Sequence, residues 1–158
     1  MPNICVREYH PENGSLLGNI STLQFGRVSS GGSTKVKVID IAFEGVSYVG
    51  NIKLGLISAG GIIVNDNPID IDDKQSASNG AFGIEDSPSF DSSKASKPLK
   101  RHFAGLNGEA TPSSDKNVLI GNENRSETIS NYIYLDIKIS SSLSGTVNGA
   151  YKVFFDYS

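Results

Sequence analysis

The densest set of potential ligands in this 158-residue chain is acidic: Asn65, Asp66, Asn67, Asp70, Asp72 and Asp73 fall within nine residues. Hard cations such as calcium take about six to eight oxygens, which clustered carboxylates and amides supply. The spacing does not match an EF-hand, however. Pro68 and Ile69 stand where ligands are needed, and the central glycine and closing glutamate are missing. The cluster therefore reads as a solvated acidic loop. Two histidines, His10 and His102, and one distant cysteine, Cys5, fall short of a structural zinc set. No Gly-x-Ser-x-Gly elbow marks a serine nucleophile. Residues 26–34 (GRVSSGGST) lack the Gly-Lys-Ser/Thr ending that places a lysine on a phosphate, and no helix pattern follows them. Cys5 lies between Ile4 and Val6 with nothing nearby to depress its pKa, so it reads as a small packed hydrophobe. These residues predict neither an enzyme nor a cofactor or metal site.

Binding chemistry is better represented. Residues 94–102 (KASKPLKRH) form the one basic run, and Lys97, Lys100 and Arg101 could meet an acidic partner. The acidic cluster before them balances that charge, which favours a solubilising loop or salt bridges between subunits. Six tyrosines are spread along the chain. Tyr132 and Tyr134 fall on the polar side of an alternating segment, where same-face neighbours stand about 7 Å apart. Such rings could stack a sugar, enter a protein contact or be covered by another part of the chain. Phe82, Ile84, Phe90 and Phe103 are apolar islands in an otherwise polar region and read as pins. Phe154 falls beside Lys152 and Asp156, on the side away from Val153 and Phe155, where an exposed ring would be a liability unless covered. The expected interface thus comprises Phe82, Ile84, Phe90, Lys97, Lys100, Arg101, Phe103, Tyr132, Tyr134 and Phe154.

The elements that would position these residues are strands. Residues 4–10, 19–28, 35–43, 46–57, 117–120, 129–140 and 146–158 alternate apolar and polar side chains or form short β-branched runs, separated by Gly, Ser and Asn turn signals. In residues 35–43 (KVKVIDIAF) the apolar side changes at Val38 and Ile39, which predicts either a bulge or burial on both faces. No window holds apolar residues at helical spacing over three turns. Residues 65–116 are rich in Asp, Asn, Ser, Gly, Pro and Lys. Either part of them is a short strand or partner-ordered arm, or they form a long polar excursion, within one domain spanning residues 1–158. The expected fold is all-β: an antiparallel β-sandwich of seven to nine strands, immunoglobulin-like or jelly-roll, with the final strand closing the chain.

Net charge is −3 with signs interspersed, which disfavours direct nucleic-acid binding through a basic face. The first residues carry Arg7, Glu8 and His10 and show no signal-peptide core, and no stretch approaches the roughly 18 apolar residues of a membrane helix. Synthesis and assembly in a cytoplasm are expected, without membrane contact.

The segments Phe25-Gly26-Arg27-Val28, 32–38 (GSTKVKV), 51–57 (NIKLGLI), 131–137 (NYIYLDI) and 151–157 (YKVFFDY) together resemble small β-sandwich structural proteins of tailed bacteriophage virions. That resemblance covers about half the chain and assigns no functional position. It implies a capsid-decorating, neck or tail accessory protein. Such a protein is present in many copies, contacts other virion proteins, resides in the virion and lacks catalysis. The alternative expectation is a carbohydrate-binding β-sandwich module using Tyr132 and Tyr134.

Overall fold

A computed structural model of the chain describes residues 2–27, 32–57, 69–70, 81–99, 102–104, 119–120, 128–138 and 150–158. Strands dominate them, and every pairing between strands is antiparallel. The strands are β1 (Asn3–Tyr9), β2 (Leu16–Ile20), β3 (Lys37–Glu44), β4 (Val49–Ile57), β5 (Ile69–Asp70), β6 (Ala81–Ser87), β7 (His102–Ala104), β8 (Leu119–Ile120), β9 (Tyr132–Lys138) and β10 (Ala150–Tyr157). Among the described residues a four-residue helix, α1 (Ser92–Ala95), follows β6. The larger sheet runs β2-β1-β3-β9-β6-β7-β5 and the smaller β10-β4-β8. No helix among the described residues is long and apolar enough to cross a membrane.

Alternation along β3 explains where the core sits. Ile39, Ile41 and Phe43 project to one side, joining Ile84 of β6, Ile133, Leu135 and Ile137 of β9, and Val49 and Ile52 of β4. Val153 and Phe155 of β10 pack against this cluster, and the Phe43 and Phe155 rings lie 4.7 Å apart, so the two sheets share one core. Val36 and Val38 project to the opposite side, into a second cluster with Tyr9, Tyr134 and Leu99. Register between β1 and β3 is unbroken from Asn3 opposite Glu44 to Tyr9 opposite Val38. The change of apolar side in β3 therefore reflects burial on both faces, with no bulge.

Several boundaries differ from the sequence pattern for local reasons. The β1–β2 hairpin closes through His10, whose N–H donates to the Ser15 carbonyl and whose carbonyl accepts from the Gly14 N–H, both at 2.8 Å. Pairing consequently starts at Leu16, three residues before the expected strand, and strand structure stops at Ile20. Gly45 adopts φ 79°, a left-handed conformation suited to glycine, and ends β3 before β4 begins at Val49. The polar region contributes strands as well: β6 is an internal strand between β9 and β7. Its sequence AFGIEDS disguised this, because Asp86 accepts from Asn131 Nδ2 at 2.9 Å and Glu85 pairs with Lys94 at 3.6 Å.

Candidate interaction surface

The second face of the large sheet gathers most of the polar chemistry that the described residues offer. Asp40, fully buried on β3, accepts from Arg7 Nε at 2.8 Å, Arg7 Nη2 at 2.7 Å and the Tyr9 hydroxyl at 2.7 Å. Register demands this meeting, because Arg7 is directly opposite Asp40 across the β1–β3 ladder. The bidentate fork meets both carboxylate oxygens, and its hydrogen bonds to Asp40 raise the Arg7 pKa above its ordinary value. A carboxylate saturated in this way and sealed from water does no acid–base work on a substrate. It holds two strands together.

Across the same face runs an arm formed by residues 88–99, which leaves the end of β6 and turns back over β9, β3 and β1. Asp91 caps α1 by accepting from the Ser93 N–H at 2.9 Å and the Ser93 hydroxyl at 2.6 Å; these bonds hold its pKa below the ordinary aspartate value. The Asp91 N–H donates to the Tyr134 hydroxyl at 2.7 Å, and the Leu99 N–H donates to buried Asp136 at 3.0 Å. Between these two ties, Phe90 and Ala95 pack on the aromatic cluster and Leu99 fills it. The Phe90 ring stands edge-on to Tyr132 at 6.0 Å, and Tyr132 is edge-on to Tyr9 at 5.0 Å. Of the readings open for this sheet face, cover by another part of the chain is the one found: the arm lies over it.

This arrangement sorts the expected interface residues. Tyr134 is fully buried and Tyr132 is half-buried against two rings, so neither forms an exposed platform for a sugar. Ile84 belongs to the main core, and Phe90 is a pin for the arm. Lys97 is exposed on that arm. Phe82 and Phe103 face each other across the β6–β7 ladder, and Phe154 is opposite Lys53 on β4, but their side chains lie outside the described residues. Lys100 and Arg101 also lie outside them, as does the acidic cluster apart from the Ile69–Asp70 strand. Among the described residues no three His, Cys, Asp or Glu side chains gather as metal ligands. His10 serves the hairpin turn, its Nδ1 accepting from the Glu12 N–H at 3.2 Å. His102, on β7, is opposite Gly83 of β6, and Cys5 is half-buried on β1 opposite Ala42.

The surface that sequence reasoning passed over is the edge strand β2. Glu8 of β1 pairs with Gly18 but Tyr9 with Leu16, so Leu17 is the extra residue of a bulge. Leu16 and Leu17 are 55% and 57% exposed, the two most exposed large apolar side chains described, and Ile4 on neighbouring β1 is 45% exposed. A signal for this edge was present in the sequence: no charged residue occurs from Asn13 through Gly26. Comparison of the chain with protein-family models and with curated proteins finds no match in either.

Proposed function

We propose that this protein is a non-enzymatic structural component of a virion, an antiparallel β-sandwich of immunoglobulin-like or jelly-roll kind that binds the capsid or tail surface. It stabilises or decorates the assembly in many copies. The observation that carries the reading is the β2 edge: a strand that, among the described residues, pairs on one side only, uncharged over its whole length, presenting two consecutive exposed leucines. Edges that must not pair are guarded by charge, proline, shortness, a bulge or a covering segment; β2 is short and bulged but carries neither charge nor proline. Supporting it, the buried carboxylates Asp40 and Asp136 are engaged in holding strands and arm, so the described polar chemistry serves architecture.

Mass analysis of purified particles from the cell that makes this protein tests the proposal. The expected result is the intact chain at a copy number comparable to the other coat or tail components. Its absence from such particles, with the protein abundant in the remaining lysate, overturns the reading.

A further inference from the structure

We infer that the arm of residues 88–99 and the β1–β2 turn form one latch with the Phe90 ring as its bolt: the arm does not lift from the second sheet face without freeing the turn, nor the turn open without freeing the arm. β2 begins at Leu16, just past Gly14, so the seated latch fixes where the exposed edge starts. In that respect the inference rests on the assembly reading above and names a control over the same edge.

The arm is built to move as a unit. None of its residues belongs to a strand, and it carries bonds of its own: the Lys94 N–H donates to the Asp91 carbonyl at 3.2 Å, the Ser93 N–H to the Asp91 carboxylate at 2.9 Å and the Ser96 hydroxyl to the Ser93 carbonyl at 3.2 Å. The Tyr134 hydroxyl and the Asp136 carboxylate tie it to the sheet near its two ends. The turn is also internally braced, by the two backbone bonds of His10 and by Asn13 Oδ1, which accepts from the Ser15 N–H at 2.9 Å. Segments held outside the strand ladders open at lower free energy than the whole domain.

Phe90 joins the two. A Cβ on Gly14 would stand 2.7–3.1 Å from three atoms of the Phe90 ring, so the ring presses on the turn backbone with no side chain between. The same ring is edge-on to Tyr132, which is edge-on to Tyr9, the residue that leads into the turn. Lifting the arm withdraws the ring from Gly14 and Tyr132 together. Opening the turn takes Gly14 away from a half-buried ring and wets it. Each motion forfeits packing that the other needs, and such coupling is reciprocal.

Native-state hydrogen exchange of the full chain at low urea concentrations, read by NMR, tests the latch. The hydrogen-bonded amides of His10 and Gly14 in the turn and of Asp91 and Leu99 in the arm are expected to open with one shared free energy and urea dependence. Both should lie below those of the Ile41 amide, which donates to buried Ser130 Oγ and reports global unfolding. Asn13→Ala removes a turn bond and touches nothing in the arm, yet should quicken all four amides about fivefold, as for one hydrogen bond. In Phe90→Ala the bolt is gone, so adding Asn13→Ala should quicken His10 and Gly14 and leave Asp91 and Leu99 unmoved. Gly14→Ala, which crowds the ring directly, should quicken the arm amides and keeps the test decisive if Asn13→Ala leaves the turn unmoved. Four amides that open only together with Ile41, arm amides indifferent to the turn variants, or coupling that survives Phe90→Ala overturns the inference. A working latch in a protein absent from particles would instead overturn the virion reading and leave the latch standing.

Discussion

Replacing Leu99 by alanine tests whether the arm over the second sheet face is part of the cooperative fold. Leu99 is 4% exposed and packs with Val36, Val38 and Tyr134, which are themselves buried. Val38 and Tyr134 belong to paired strands and cannot move inward to refill the space. The arm could sink toward them only by giving up the 3.0 Å bond from the Leu99 N–H to Asp136. Leucine-to-alanine changes at sites that collapse poorly cost about 3 kcal/mol, within a range of about 2–5 kcal/mol. For a chain of this size that loss lowers the unfolding midpoint by about 6–12 °C. Urea or thermal unfolding followed by circular dichroism measures the loss, and hydrogen exchange at the Asp91 and Leu99 amides reports whether the arm opens first. A loss below about 1 kcal/mol, well short of the range for a buried leucine, would refute the sealing role of Leu99. Faster exchange at those two amides with no change in global stability would refute coupling between arm and sheet. Lys97→Ala, on the exposed side of the same arm, should stay within about 0.5 kcal/mol.

Arg7→Ala should be more damaging than its partial exposure suggests, by about 3–5 kcal/mol in urea unfolding, because it strands the buried Asp40 carboxylate. Gly14→Ala should destabilise by more than about 1 kcal/mol, since φ is +74° and the new Cβ would stand 2.7 Å from the Phe90 ring. Gly18→Ala should cost less than Gly14→Ala in the same thermal melt, as it meets backbone strain at φ +132° but no neighbouring atom. The depressed Asp91 pKa means that its cap is fully formed above the ordinary aspartate pKa. The cap is lost as pH falls through the lower folded value, so the Ser93 amide resonance should titrate below the normal aspartate range and stop doing so in Asp91→Asn.

How much of this was legible depended on whether a face is made by one segment or by several. The main core was visible in the alternation of Ile133, Leu135 and Ile137 and of Ile39, Ile41 and Phe43, because each stripe is continuous within a single strand. The second cluster was not. It assembles Tyr9, Val36, Val38, Leu99 and Tyr134 from four distant parts of the chain, with one or two residues from each. Its polar ties hid it further, because the pairing of Asp40 to Arg7 and of Asp136 to the Leu99 amide cannot be inferred from hydrophobic pattern. A short strand in the polar region was one of the readings open for it, but the full length of β6 was hidden for a related reason, since Glu85 and Asp86 are satisfied by Lys94 and Asn131 rather than by water alone. The β2 edge was readable in principle, as a charge-free interval in a chain one-fifth charged. Searching for ligands draws attention to where charge accumulates, and this surface is marked by where it is missing.

The ion pair between Arg7 and Asp40 has a consequence for how the sheet finds its alignment. Residues alternate across a strand, so sliding β3 by a single position would exchange its two sides. Asp40 would then be carried in among Ile84, Ile133 and Leu135, without the guanidinium and phenol that meet it in the native alignment. Isoleucine and valine alone would tolerate either setting, because β3 is apolar on both sides. The single aspartate makes one of them prohibitive. It acts as the key that fits only one position of the strand, and its value to the protein is measured in the misaligned sheets that never form.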